Sequence, residues 1–205
     1  MKKLLASFFT IAFISQITLA QDNAIRPPAI GVSFFFNDFT TPQRIRTGSL
    51  SGVLREHQWA KFRDMSPGAA LTYFDGVQKY IDFAGTLAVS FPTVPLPNKP
   101  NSSTTDAALL EADASFNFKL LPENYWVTPY AIAGVGGSKY KSYYGAFIPL
   151  GLGFKVNLFD EAALFISSQY RVPVTTETNN YHFMTSIGIA GIIGSKKQTA
   201  LKATE

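Results

Sequence analysis

The chain has 205 residues, no cysteine and a formal net charge of +4. One domain is therefore the default, and disulfides, a thiol nucleophile and cysteine-ligated metals are excluded. The charge is too weak and too dispersed to indicate a nucleic-acid partner. Aromatic residues make up 14% of the chain. This excess matters because transmembrane barrels carry aromatic girdles at both membrane interfaces.

The N-terminus has the pattern of a secretory signal peptide. Lys2 and Lys3 precede an apolar run over residues 4–14, and residues 18–20 supply a small-x-small cleavage site. We therefore predict a cleaved signal peptide over residues 1–20, with an uncleaved anchor as the alternative. Loss of the two lysines leaves a mature net charge of +2. No later run reaches the ~18 apolar residues that a membrane helix needs, so the exported chain is either soluble or a membrane barrel.

A short polar lead-in, residues 21–28, is expected in the periplasm. The first strand is predicted over 29–37, with Phe35 breaking its alternation as a lumen-side or rim residue. Residues 38–65 form the longest segment without a strand signal. The apolar spacing in its second half is compatible with an amphipathic helix over 49–62, but loop statistics favour a packed surface loop with one or two helical turns.

The stretch 66–91 has two alternating runs around one turn. Asp75 and Gly76 are a strong hairpin pair and predict that turn. The second run is roughly 12 residues long, whereas strands of soluble proteins usually have about 5–6. A tilted strand that crosses a bilayer needs about 9–11 residues. The length and the alternation together favour a membrane barrel.

The same pattern continues to the end of the chain. A proline-rich loop over 92–105, a modest loop over 137–144 and a polar loop over 173–180 separate further strand pairs, and residues 195–205 form a polar tail. Long and short connections alternate, as they do in barrels with long outer loops and short periplasmic turns. The eight predicted strands are 29–37, 67–74, 79–91, 107–120, 126–136, 145–158, 162–172 and 181–193.

Alternation within the strands divides the side chains between two faces. One face is rich in Phe, Leu, Ile and Val, and we assign it to lipid, together with Tyr130 and Ile132 of the fifth strand. The other face carries small residues, glycines and a few charges. A soluble lipocalin-like barrel would place bulky apolar residues inside, so this distribution favours a transmembrane barrel over 29–194. The charges predicted to form a lumen network are Asp82, Glu111, Asp113, Lys119, Lys155 and Arg171.

Because an unpaired charge in a narrow interior is costly, these groups are expected to pair across the barrel. Specifically, we expect Arg171 to form an ion pair with Glu111 or Asp113. The plug formed in this way is expected to block free diffusion through the lumen.

Several local motifs resemble those of the eight-stranded outer membrane protein A type, most closely a version common in Bacteroidetes. They are Ser66-Pro67-Gly68, Tyr80-Ile81-Asp82-Phe83, Pro129-Tyr130 and the run 186–191, SIGIAG. The resemblance implies a Gram-negative outer-membrane protein with a structural or small-pore role. Many relatives carry a C-terminal domain that binds peptidoglycan. The chain stops at Glu205, so we expect that domain to be absent.

Chemistry-bearing residues are few. His57 lies in the first long loop, and His182 is expected at the rim, although with Ser167 or Ser168 and Glu177 it could be placed in a hydrolase triad. No metal or cofactor site is predicted. We expect a non-enzymatic, porin-like but poorly conducting barrel, with a lipid-modifying hydrolase or a soluble lipocalin-like binder as alternatives. Expected partners are outer-membrane lipids including lipopolysaccharide, and a possible ligand at loops 38–65 and 92–105. We expect a monomer.

Overall fold

The computed structural model describes residues 25–92, 107–122, 125–158 and 162–193. The predicted signal peptide, the tail and almost all of the loop 92–105 lie outside the described residues. No helix of the described ranges is long and apolar enough to span a membrane.

All eight strands join in one closed sheet, in the order of the sequence, and every neighbouring pair is antiparallel. Pairing of the first strand with the last, from Ala29–Ile192 to Asp38–Phe183, closes the barrel. The strands are β1 (Ala29–Asp38), β2 (Ser66–Gln78), β3 (Ile81–Ser90), β4 (Leu109–Lys119), β5 (Val127–Tyr140), β6 (Tyr143–Leu158), β7 (Ala162–Pro173) and β8 (His182–Ile192).

Two short helices and a 3₁₀ turn cover one end of the barrel. They are α1 (Thr40–Thr47), α2 (Leu50–Arg55) and a 3₁₀ turn over Phe62–Asp64. The Asp38 carboxylate accepts from the backbone N–H groups of Thr40 and Thr41, both at 2.9 Å, and so satisfies donors at the start of α1. No helix spans 49–62: α2 has six residues there, or about two turns, as expected, and α1 adds eight helical residues before it. We call this end of the barrel the loop end and the opposite one the turn end.

The hairpin of β2 and β3 is confirmed, but its turn does not lie at Asp75–Gly76. Both residues lie within β2, which pairs with β3 as far as Gln78, and the turn consists of Lys79 and Tyr80. Gly76 is needed for another reason. Its N–H donates to the carbonyl of Arg26 at 3.2 Å, and a Cβ on Gly76 would lie 2.5 Å from that oxygen. The glycine therefore admits the backbone of the lead-in against the sheet.

The predicted loop 137–144 is instead the tip of a long hairpin. Strands β5 and β6 have 14 and 16 residues, and only Lys141 and Ser142 connect them. Lys141 takes a positive φ of 54°. Strict alternation of long and short connections therefore fails at this position, because the strands extend beyond the others instead of ending in a loop.

The outer wall is apolar and the lumen is polar, the reverse of a soluble barrel. Leu87, Leu152 and Phe34 expose 63%, 68% and 71% of their surface, whereas Asp82 and Arg171 expose none. The assignment of Phe35 to the lumen was confirmed, since it is 1% exposed. The assignment of faces predicted from alternation holds for β1, β3, β4, β6 and β7.

The fifth strand is the exception. Tyr130 and Ile132, predicted outward, face the lumen with exposures of 4% and 5%. The Tyr130 ring fills the space beside Gly153 of β6, and a Cβ at that glycine would clash with the ring. The lipid-facing side of β5 instead carries Val127, Pro129, Ala131, Ala133 and Val135. The assignment of the large apolar residues of β5 to lipid failed because Gly153 of β6 leaves room in the lumen for the ring of Tyr130.

Candidate functional site: a two-layer charge network in the lumen

Alternation along the strands places the ionisable side chains inside the barrel. Glu111 and Asp113 are two residues apart on β4, so both point inward, and Arg171 on β7 points inward from the other side. Strands β4 and β7 are not neighbours in the sheet. Their side chains meet because an eight-stranded barrel is only wide enough for side chains to fill it.

The first group of charges lies near the loop end. Nη1 of Arg171 is 2.9 Å from Oε2 of Glu111, and Nη2 is 2.9 Å from Oδ2 of Asp113. One guanidinium therefore bridges two carboxylates, and all three side chains are 0–1% exposed. The sequence left open which carboxylate Arg171 would meet, and in the structure it meets both. The planar fork of arginine suits this bridging, which a lysine could not reproduce.

Two further residues complete this group, which we call the loop-end layer: Asn37, Glu111, Asp113, Arg171 and His182. Nε2 of His182 lies 3.2 Å from Oε1 of Glu111. The Asn37 amide donates to Oε2 of Glu111 at 3.4 Å and to Ser90 at 3.2 Å. The layer thus joins side chains of β1, β3, β4, β7 and β8 across the lumen.

Aromatic side chains enclose the loop-end layer. The Phe39 ring, just before α1, lies 4.7 Å from the His182 ring, centroid to centroid. The Phe147 ring lies 4.7 Å from the guanidinium carbon of Arg171, within cation–π range. Phe39 also packs with Leu109 and Tyr140. The first loop is therefore coupled by direct contact to the charges beneath it.

A second group, which we call the turn-end layer, comprises Asp82, Lys119 and Lys155. Nζ of Lys119 is 2.6 Å from one Asp82 oxygen, and Nζ of Lys155 is 2.9 Å from the other. All three side chains are 0–2% exposed. The Lys155 ammonium also lies 5.9 Å from the centroid of Phe74. Lys119 shares the inward face of β4 with Glu111 and Asp113, as the alternation predicted, but it lies at the other end of the strand.

Hydroxyl groups occupy the space between the layers. Thr72 and Thr86 lie 3.3 Å apart, and Ser167 and Ser186 lie 2.8 Å apart. A polar cavity of about 30 Å³ remains there, bordered by Gln169 among others. That volume is enough for about one water molecule. Below it, Phe74 and Phe165 pack edge to face at 5.2 Å. Ion pairs, hydroxyls and aromatic rings together fill the described lumen.

The structure does not assemble the hydrolase grouping considered from the sequence. Ser167 bonds Ser186 inside the lumen, whereas Ser168 bonds Thr185 at 3.2 Å on the outer wall. His182 contacts Glu111 and the carbonyl of Asn180 and is fully buried. Among the described residues no cluster of His, Asp and Glu could hold a metal ion.

Sequence reasoning missed His182 as a member of the network, because it was placed at the rim. Its position opposite Arg171 in the pairing of β7 with β8 identifies it as a member of the network. His182 pairs with Arg171 between β8 and β7, and it shares an inward face with Met184 and Ser186. Arg26 was also missed. It precedes the first strand, yet it is 6% exposed and its guanidinium carbon lies 5.4 Å from the Phe74 ring.

No protein-family model matches the sequence, and no curated protein matches it. Solved structures do resemble the fold. The N-terminal β-barrel domain of OprF from Pseudomonas aeruginosa aligns with a TM-score of 0.52 at 8% identity, over 80% of this chain and 96% of that one. The outer membrane protein OprG from the same organism aligns with a TM-score of 0.51 at 11% identity, over 84% and 99%.

At such low identity these similarities concern the fold alone. They agree with the strand order and the antiparallel pairing of this barrel. The chain is all-β, an eight-stranded antiparallel up-and-down transmembrane barrel of the kind found in outer-membrane proteins, and the predicted fold class is confirmed.

Proposed function

We propose that the chain is an outer-membrane β-barrel with a structural or interaction role and at most a low permeability for small solutes. The observation that carries this proposal is the combination of an apolar outer wall with a lumen crossed by two layers of buried ion pairs. Charged side chains are stable in the interior when they are paired, and here they stabilise a filled barrel rather than line a wide pore. The folds of OprF and OprG support the location.

A lipid-modifying hydrolase is a weaker candidate. Such an enzyme needs its nucleophile and base together on the wall that faces lipid. The hydroxyls of Ser168 and Thr185 do lie on that wall, but the His182 ring lies on the opposite face of the sheet and is fully buried. The proposed role is therefore non-enzymatic, and loop segments such as α1 and α2 are the surface offered to partners outside the membrane.

Conductance and hydrolysis, measured on the refolded barrel, test this function. In planar bilayers the wild-type protein should conduct weakly or not at all. Arg171→Ala alone should change this little, since the turn-end layer stays in place. Arg171→Ala combined with Asp82→Ala should raise conductance, because both layers then lose the residue that bridges them. A wide-pore conductance of the wild type, or turnover of phospholipid by it, would contradict the proposal.

A further inference from the structure

An aromatic cluster lies on the outer wall at the loop end of β7 and β8. Tyr170 and Phe183 face each other across the ladder with centroids 5.0 Å apart. Tyr181 stacks on Tyr170 at 5.9 Å. Tyrosines at this level are typical of a membrane–water interface, because the ring lies among lipid and the hydroxyl reaches water.

Arg46 of α1 lies directly over this cluster. Its guanidinium carbon is 3.9 Å from the centroid of the Tyr181 ring, and its side chain is exposed. Among the residues that the structure describes, Arg46 forms no ion pair, whereas Arg55 and Arg63 each approach a carboxylate. The Tyr181 ring holds the Arg46 guanidinium in place, and the positive charge of Arg46 is accessible to an anion from outside the protein.

Phe62 extends the same surface toward β1. Its ring is 76% exposed, yet it packs edge to face on Phe36 at 5.8 Å. Phe36 lies on the lipid-facing side of β1, beside β8. The exposed ring of Phe62 is thus continuous with the lipid-facing wall, and the cations Lys61 and Arg63 flank it in the chain. A large ring flanked by basic residues is the composition of segments that lie in a membrane interface.

Hydroxyl groups border the cluster on its lower side. Ser168 and Thr185 lie opposite each other in the ladder, each two residues from an aromatic member, with their oxygens 3.2 Å apart. Both are exposed on the outer wall. On a lipid-facing surface, such a pair can form further hydrogen bonds only where the adjacent lipid has polar atoms at the same depth. The ester and phosphate oxygens of a lipid headgroup are atoms of this kind.

We infer that this surface, the rim patch formed by Arg46, Phe62, Tyr170, Tyr181 and Phe183, binds an anionic phosphate-bearing lipid of the outer leaflet. Arg46 contacts the phosphate, the aromatic rings contact the upper acyl chains, and the hydroxyl pair lies near the ester level. The inference rests on the proposed location of the barrel and adds a specific site to it. A soluble polyanion fits less well, because the aromatic members lie on the lipid-facing wall and not at a loop tip.

The two tryptophans of the chain provide probes at opposite ends of the barrel. Trp59 lies beside α1, since its neighbours are held there: the Arg44 guanidinium donates to the Gln58 carbonyl at 2.8 Å, and the Ala60 N–H donates to the Thr41 hydroxyl at 3.0 Å. Trp126 precedes β5 at the turn end and is 67% exposed. Brominated lipids quench whichever indole they approach.

The experiment measures quenching of each tryptophan alone, in Trp126→Phe and Trp59→Phe backgrounds, with the barrel in vesicles. Brominated phosphatidylglycerol is compared with brominated phosphatidylcholine. We expect the anionic lipid to be preferred at Trp59 and not at Trp126. Arg46→Gln should reduce the preference roughly fivefold, the effect of one basic residue near a charged surface. Arg55→Gln, the same charge change in the same loop, should leave it unaltered.

The outcomes separate the two levels of the proposal. If neither tryptophan is quenched by any brominated lipid, the barrel is outside the bilayer and the proposed function fails. If both are quenched but Trp59 shows no anionic preference, or Arg46→Gln leaves that preference intact, only the rim patch is refuted. Abolition of the preference by dextran sulfate, with direct binding of that polymer in detergent, would assign the site to a soluble polyanion instead.

Discussion

His182 of β8 contacts Glu111 of β4 in the interior of the barrel. Nδ1 of His182 lies 2.9 Å from the carbonyl oxygen of Asn180, which can only accept, so Nδ1 carries a hydrogen. Nε2 lies 3.2 Å from Oε1 of Glu111. Arg171 divides its guanidinium between Glu111 and Asp113, so the histidine gives Glu111 a further partner.

His182→Ala should therefore destabilise the barrel, because it removes one partner of a buried carboxylate. Leaving a buried charged group short of one partner costs about 1–3 kcal/mol. Urea unfolding of the folded barrel measures the difference from the wild type.

His57 provides the matched control for this prediction. It is the other histidine of the chain, and it is exposed in the first loop with a φ of 51°. His57→Ala should leave the free energy of unfolding within about 0.5 kcal/mol of the wild type. If His57→Ala and His182→Ala destabilise the barrel equally, the contact between Glu111 and His182 does not stabilise it.

Arg171→Ala should be among the most destabilising single changes in the barrel. It leaves Glu111 and Asp113 buried at 1% side-chain exposure without their guanidinium. Breaking a buried pair in this way costs about 3–5 kcal/mol. Arg171→Lys should retain only part of the stability that Arg171→Ala loses, since an ammonium cannot bridge both carboxylates in the same geometry. Equilibrium unfolding in lipid or detergent gives the difference.

The comparison variant is Arg55→Ala. Arg55 also lies near a carboxylate, at 3.8 Å from Glu56, but its side chain is 83% exposed. An exposed pair of this kind contributes little, so the change should lie within about 0.5 kcal/mol of the wild type. Similar losses for Arg171→Ala and Arg55→Ala would mean that the lumen pairs are hydrated and do not stabilise the barrel.

The strand periodicity predicted the barrel and the inward position of its charges because that signal is local. Glu111 and Asp113 alternate with Leu110, Ala112 and Ala114 in one run of sequence, and no other part of the chain is needed to read it. Which charges meet depends on the register of non-adjacent strands. That Asp82 of β3 meets Lys155 of β6 could not be read from any single strand.

The wrong predictions for Gly76 and Tyr130 have a common cause: the same residue type occurs in two different structural roles. Gly76 was read as a turn glycine, but it makes room for the backbone of Arg26. Tyr130 was assigned to lipid for its bulk, but it fills the lumen beside Gly153. Both choices are decided by a partner remote in the sequence, so composition and spacing alone cannot distinguish them.

Leu152→Arg tests which face of the sheet meets lipid. Leu152 is near the middle of β6 on the outer wall and is 68% exposed. An arginine on the lipid face near the midplane should cost roughly 2–4 kcal/mol. Leu152→Ala, which adds no charge, should cost clearly less, and so should Lys155→Gln in the lumen, where Asp82 keeps Lys119. In a soluble barrel Leu152→Arg would instead be neutral in unfolding titrations.

The orientation of the barrel can be tested with single cysteines, since the chain has none of its own. Ser51 on α2 and Ser142 between β5 and β6 are exposed at the loop end, and Gln78 is exposed at the turn end. With the N-terminus in the periplasm, the loop end faces outward. A membrane-impermeant maleimide should therefore label Ser51→Cys and Ser142→Cys on intact cells, and Gln78→Cys only after the outer membrane is permeabilised. The unsubstituted chain is the blank. Labelling of Gln78→Cys alone on intact cells would invert the assigned orientation, and equal labelling of all three would place the chain outside a sealed membrane.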